Sequence, residues 1–168
     1  MDLNMMTRRI ADDDWSVINA IQNEAYTEIA PESQDTLRRR VLLSPETCFV
    51  AVGHNGSVLG CCLAHPWGPD GAPALHAKLE ALPVTTNLYL HDLAVSSNSR
   101  GRGVAGFLCQ GLLAVAVERN FQSVTLVSVQ NSAGFWKKFG FSEDPRVNPS
   151  DSYGAGARFM RLDLNAGR

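Results

Sequence analysis

Tyr89-Leu90-His91-Asp92-Leu93-Ala94-Val95, then Ser96-Ser97-Asn98-Ser99-Arg100-Gly101-Arg102-Gly103, then Val104 onward to Glu118: this run decides the fold. It passes from an apolar strand, through a loop of Ser, Arg and Gly, into a helix. Such a junction makes an anion site from main chain alone. Glycines let several N–H groups converge, and the helix start adds the positive end of its dipole. Arg100 and Arg102 add full charges. A diphosphate suits the site.

Two phosphate-binding patterns compete for the segment. Gly101-Arg102-Gly103-Val104-Ala105-Gly106 is a literal G-x-G-x-x-G. The dinucleotide fingerprint requires a carboxylate about 20 residues on, at the end of the next strand. That strand runs from Ser123 to Val129 and ends in Gln130-Asn131. A nucleotide-binding oxidoreductase is therefore the weaker reading. No G-x-x-x-x-G-K-[ST] is present.

Arg100-x-x-Gly103-x-Ala105 fits another pattern better. It resembles the Gln/Arg-x-x-Gly-x-Gly/Ala loop of the GNAT superfamily of acyl-CoA-dependent N-acetyltransferases. Leu93-Ala94-Val95 before it resembles the end of that family's fourth strand. Downstream, Asn131-Ser132-Ala133-Gly134-Phe135-Trp136-Lys137-Lys138-Phe139-Gly140-Phe141 is similar to the family's Asn-x-x-Ala-x-x-Phe/Tyr-x-Lys-x-Gly-Phe block. The two blocks stand in the right order, joined by one helix and one strand. The resemblance covers residues 89–141, and the N-terminal part agrees in element order only.

Working outward, the remaining chain supplies an α/β layout with a mixed, mostly antiparallel sheet flanked by helices. Met5 to Ile10 reads as an edge strand. Asp12-Asp13-Asp14 caps a helix over Trp15 to Tyr26, with Trp15, Ile18, Ile21 and Ala25 on one face. Leu37, Val41 and Leu42 mark a second helix that stops at Ser44-Pro45. Thr47–Gly53 and Ser57–Ala64 form a hairpin around Asn55-Gly56. Pro66 to Thr86, with four prolines and two glycines, is a long excursion with a short helix at Ala74–Ala81. Val104, Phe107, Leu108, Gly111, Leu112 and Val115 make a helix stripe. Val124–Val129 is a buried strand, Ala133–Phe139 a short helix closed by Gly140, and Arg158–Leu164 the last strand.

Length and charge set the outer limits. The 168 residues are expected to form a single domain, 1–168, with 45% apolar content for its core. A net charge of −2 gives no basic field for nucleic acid. Arg38-Arg39-Arg40 reads as a solvated helix face. The chain holds no run of 18 apolar residues and no signal-peptide core, so a soluble, cytoplasmic protein without a membrane partner is expected. Cys48, Cys61, Cys62 and Cys109 read as small buried hydrophobes in a reducing compartment. His54, His65, His76 and His91 lack metal-ligand spacing, so no metal is expected. An apolar last strand is compatible with a homodimer.

The resemblance implies an enzyme that uses acetyl-CoA to acetylate a primary amine, on a small molecule or a protein. It implies that strands four and five splay apart to admit the pantetheine arm. Main-chain groups of Leu93, Ala94 and Val95 would bond that arm and the thioester oxygen. Arg100, Gly101, Arg102, Gly103, Val104 and Ala105 would hold the diphosphate. Asn131 would bond the pantetheine, with Trp136 beside it. The general base stays open between His91, Asp92, a water chain and an amine that arrives deprotonated. Period two places Tyr89, His91 and Leu93 on one face and Leu90, Asp92 and Ala94 on the other. The family often places Tyr, as acid for the leaving thiolate, where Trp136 stands. Indole cannot serve as that acid, and Tyr153 is the nearest spare candidate. Trp136 also motivates the alternative of a non-catalytic acyl-CoA sensor.

Overall fold

The computed structural model describes residues 4–165; positions 1–3 and 166–168 of the expected single domain lie outside it. Seven strands form one sheet in the order β1-β2-β3-β4-β5-β7-β6. They are β1 (Met6–Arg9), β2 (Cys48–Val52), β3 (Val58–Pro66), β4 (Asn87–Val95), β5 (Ser123–Ser128), β6 (Ser142–Glu143) and β7 (Arg158–Asp163). The helices are α1 (Trp15–Ala25), α2 (Gln34–Leu43), α3 (Val104–Glu118) and α4 (Ala133–Lys138). Every strand pairing is antiparallel except that of β4 with β5.

Local chemistry explains the element ends. Asp14 accepts from the Ala11 N–H at 2.7 Å and holds Arg8 through both carboxylate oxygens, so the aspartate run closes a tight turn before α1. Ser33 accepts from the Thr36 N–H at 3.2 Å and caps α2. Gly56 at φ +81° makes the hairpin turn between β2 and β3. Gly140 at φ +94° ends the α4 segment in the left-handed conformation.

Helices cover both sheet faces. Leu88, Leu90, Val124, Leu126 and Met160 pack beneath α3 with Leu108 and Leu112. Val50, Cys61, Leu63 and Ala94 pack against Trp15, Ile18 and Ile21 of α1 and Leu37 of α2. All four cysteines are buried and free, and burial pushes the Cys48 thiol up to about 12.

Four expectations need correction, and one is the solvated Arg38–Arg40 face, because Arg40 is fully buried and bonds His65 of β3. Ala74–Ala81 forms no helix. The prolines flanking it withhold amide donors, and side chains hold the segment instead. Arg39 donates to the Leu79 and Glu80 carbonyls at 2.8 Å, and Tyr153 donates to the Pro73 carbonyl at 2.5 Å. Strand β6 was not expected; at two residues it carries no readable period. The fourth correction concerns β4. Its ladder to β3 pairs Leu63 with Asp92 and Ala64 with Leu90, which leaves His91 opposite nothing. This bulge breaks the alternation. Leu90 and Leu93 both join the α3 side, while Asp92 and Ala94 join the α1 side. The His91 ring lies beside Tyr89 and His65, and its side chain also reaches the α1–α2 connection.

Candidate active site

β4 and β5 pair only from Asn87–Leu90 and Ser123–Leu126. Beyond Leu90 they part, and β4 keeps β3 as its only ladder partner. The gap opens into a cleft of about 370 Å³. His91, Asp92, Leu93, Ala94, Val95, Arg100, Ala105, Trp136 and Tyr153 all line it. Nine of the residues singled out in the sequence thus converge on one cavity.

The loop after β4 makes one tight turn at Ser97–Ser99, anchored where the Ser97 N–H donates to Glu24 at 2.8 Å. Gly101 and Gly103 have φ of +75° and +84°, and no neighbouring atom lies where their Cβ would be. Gly103 is the N-cap of α3 and offers no side chain to the first-turn amides. Those amides are therefore available to an anion. Arg100 and Arg102 are exposed, and Arg100 donates to the Glu24 carbonyl at 3.3 Å. The Val104 side chain is buried under α3, so only its main chain can serve a ligand.

Asn131 is exposed at the end of β5 and does not line the cleft. Its neighbour Gln130 does. Both have positive φ, at 60° and 52°. Gln130 accepts from the Thr27 and Glu28 N–H groups at 3.0 and 3.1 Å and donates to the Ala25 carbonyl at 2.9 Å. It staples the α1–α2 connection to β5 across the cleft. Trp136 donates to Ser132 Oγ at 3.2 Å.

The wall of the cleft near His91 holds two polar groups of side chains. Buried Asp92 accepts from Gln22 and from the Tyr26 hydroxyl, and burial raises its pKa against those bonds. Beside it, His91 Nε2 meets Glu32 Oε1. Glu32 Oε2 accepts from the His76 N–H at 2.9 Å and lies 3.9 Å from Arg40. Burial would push the Glu32 carboxyl up, but the His91 ring, Arg40 and the His76 amide outweigh it and hold it at about 2. Arg40 also donates to His65 Nε2 at 2.7 Å. A guanidinium has no acceptor, so His65 carries its proton on Nδ1 and donates it to the Pro66 carbonyl at 2.9 Å. Burial drives the His65 pKa down to about 3. His91 Nδ1 is buried without a partner.

Tyr153 reaches the cleft wall, but its proton is committed to the Pro73 carbonyl and its oxygen lies 2.8 Å from the Tyr89 hydroxyl. Burial pushes its pKa up to about 12. Both facts make it a poor acid. Sequence reading missed Gln22, Glu32, Gln130 and Phe135 as lining residues. Phe135 lies in the 131–141 block but was not singled out, Gln22 belongs to no spaced motif, and Glu32 and Gln130 reach the site through connections that carry no periodicity.

Among the described residues no group of three or more His, Cys, Asp or Glu side chains could hold a metal ion, and no helix is long and apolar enough to cross a membrane.

Comparison with known proteins agrees with this geometry. No curated protein matches the sequence. Ard1 from Thermoplasma volcanium superposes with a TM-score of 0.72 at 21% identity, over 95% of this chain and 97% of that one. The ribosomal-protein-S18-alanine N-acetyltransferase from Escherichia coli gives 0.68 at 15% identity, over 95% and 94%. Rv2747 from Mycobacterium tuberculosis, in complex with CoA and NLQ, gives 0.69 at 19% identity, over 95% and 99%. At these identities the likeness concerns the fold. The family profile described as Acetyltransferase (GNAT) family matches residues 15–141, three quarters of the chain and every cleft-lining residue named above except Tyr153, and the chain belongs to that family.

Proposed function

We propose that the protein transfers the acetyl group of acetyl-CoA to a primary amine by direct attack in a ternary complex. The observation that carries this reading is the parting of β4 from β5 immediately beyond the bulge at His91. The gap leaves the main chain of Leu93, Ala94 and Val95 without a partner strand on one side. A pantetheine arm bonds there as an extra strand would. The loop from Arg100 to Ala105 takes the diphosphate, and exposed Asn131 takes the arm where it leaves the cleft.

The amine arrives mostly as an ammonium ion at neutral pH. His91 Nδ1, buried and unpartnered, accepts its proton. The freed nitrogen attacks the thioester carbonyl. A main-chain N–H of β4 stabilises the oxyanion, and one well-aimed donor of this kind contributes about 3 kcal/mol. The C–S bond then breaks, and the second proton on the attacking nitrogen is lost to the sulfur or to solvent. A thiolate whose conjugate acid has a pKa of about 8.5 is a tolerable leaving group, so Trp136 need not supply a proton.

Release of the CoA thiol, measured with acetyl-CoA and a panel of alkylamines, amino acids, aminoglycosides and peptides, tests the proposal. Turnover with at least one amine is expected. Tight CoA binding with no turnover would favour the second reading, a non-catalytic acyl-CoA sensor, for which Trp136 in place of Tyr is the specific observation.

A further inference from the structure

Glu32 sits in the α1–α2 connection, between Pro31 and Ser33, and belongs to no motif. In the fold its carboxylate meets His91, the His76 N–H and, at 3.9 Å, Arg40. We propose that Glu32 is a positioning residue for acyl transfer: it holds the His91 ring with Nε2 protonated and Nδ1 free toward the amine, and stabilises the imidazolium that forms. This rests on the acyl-transfer reading above.

Two contacts besides His91 fix Glu32 itself, and a third holds the connection that carries it. The His76 N–H reaches one oxygen from the 66–86 excursion, and Arg40 lies behind that oxygen from α2. Gln130 pins the start of the same connection from the end of β5. The Glu32 side chain is 6% exposed and that of His91 1%, so water screens their attraction little. An ionised carboxylate only accepts. The proton between the two groups therefore belongs to His91 Nε2, and the ring's remaining lone pair is on Nδ1.

The other groups around His91 are Tyr89 and Asp92 on its own strand, His65 on β3, Tyr26 at the end of α1, and Arg40 beyond Glu32. His65 is held neutral by burial, and the tyrosines stay protonated. Glu32 is the one anion bonded to the ring. During transfer an N–H bond of the ammonium breaks and its proton joins Nδ1. The electron pair stays on nitrogen and forms the C–N bond. The C–S pair leaves with sulfur, the attacking nitrogen sheds its second proton to that sulfur, and the proton on Nδ1 passes to solvent.

Two measurements on the full chain test this. In proton NMR of the ligand-free protein, a downfield imidazole N–H resonance is expected that disappears in both H91Q and E32Q. Steady-state kinetics with acetyl-CoA and n-butylamine as probe should show kcat of E32Q lower by roughly tenfold to a hundredfold, within the 10²–10⁴ that general-base catalysis supplies as a whole. The acid limb of the kcat profile should move to lower pH, because removing the carboxylate disfavours the imidazolium. KM for acetyl-CoA should stay within about twofold, and E32D should recover part of the loss. A resonance that survives in E32Q would overturn the proposal, as would native kcat and pH profile in that variant. Failure of the native protein to bind acetyl-CoA in calorimetry would instead remove the acyl-transfer reading, while the resonance still reports on the pair.

Discussion

His91 owes its place to one skipped partner on β3. With regular pairing it would face away from Asp92; the bulge turns both toward α1 and the α1–α2 connection. A bulge leaves no mark in a run such as Tyr89–Val95, which holds no glycine or proline to signal it. His91 and Asp92 were therefore legible as candidates, but their shared face was not. Substitution H91Q should lower kcat by about 10² or more with little change in KM for acetyl-CoA, measured by thiol release. His65 shows the opposite use of a histidine. Its folded pKa of about 3 lies below the unfolded value, so the unfolded chain binds the extra proton between those limits. Stability contributed by the neutral ring is present above about pH 6.5 and is lost as pH falls toward 3. Denaturant unfolding should show a loss of about 2 kcal/mol between pH 6.5 and 5 from this group. H65Q, which still offers Arg40 an acceptor, should flatten that slope.

At the scale of elements, β4, its loop and α3 were read from the sequence nearly to the residue. Their signals are local: an apolar strand, positive-φ glycines and a helical stripe. The 66–86 excursion is irregular as expected, and only the helix at Ala74–Ala81 is absent, because order there comes from distant partners, Arg39, Tyr153 and Arg161, rather than from its own residues. The same holds for the α1–α2 connection, which Gln130 fixes from about 100 positions away. Gly60 of β3 ties packing to the site. A Cβ there would lie 2.8 Å from the Ala94 carbonyl oxygen and 3.0 Å from Leu108 of α3. Ala94 lies on the segment that faces the cleft. G60A should therefore cost about 1–3 kcal/mol of stability by overpacking and weaken acetyl-CoA binding as well. Thermal unfolding and calorimetry would read the two effects, and native values for both would show that the contact is relaxed at no cost.

Across the whole molecule, one sheet carries helices on both faces and spends its single parallel pairing on a partial contact. Because β4 and β5 diverge there, the centre of the sheet is opened where the α3 amides and Arg100 gather. The outer edge of β7 is covered by β6 at Met160 and Arg161 and by the Asp144 N–H, which donates to the Phe159 carbonyl at 2.9 Å. The central claim is that the opened sheet and the Arg100–Ala105 turn together bind an acyl-CoA. Calorimetric titration of acetyl-CoA into the native protein, G103E and G103A tests it most directly. Gly103 already holds φ +84° with open space around it. G103A thus adds only backbone strain, whereas G103E adds a carboxylate where the diphosphate should lie. One-site binding to the native protein, weakened at least tenfold in G103E and less in G103A, is the predicted result. No heat of binding to the native protein, or equal affinity in G103E, would contradict it.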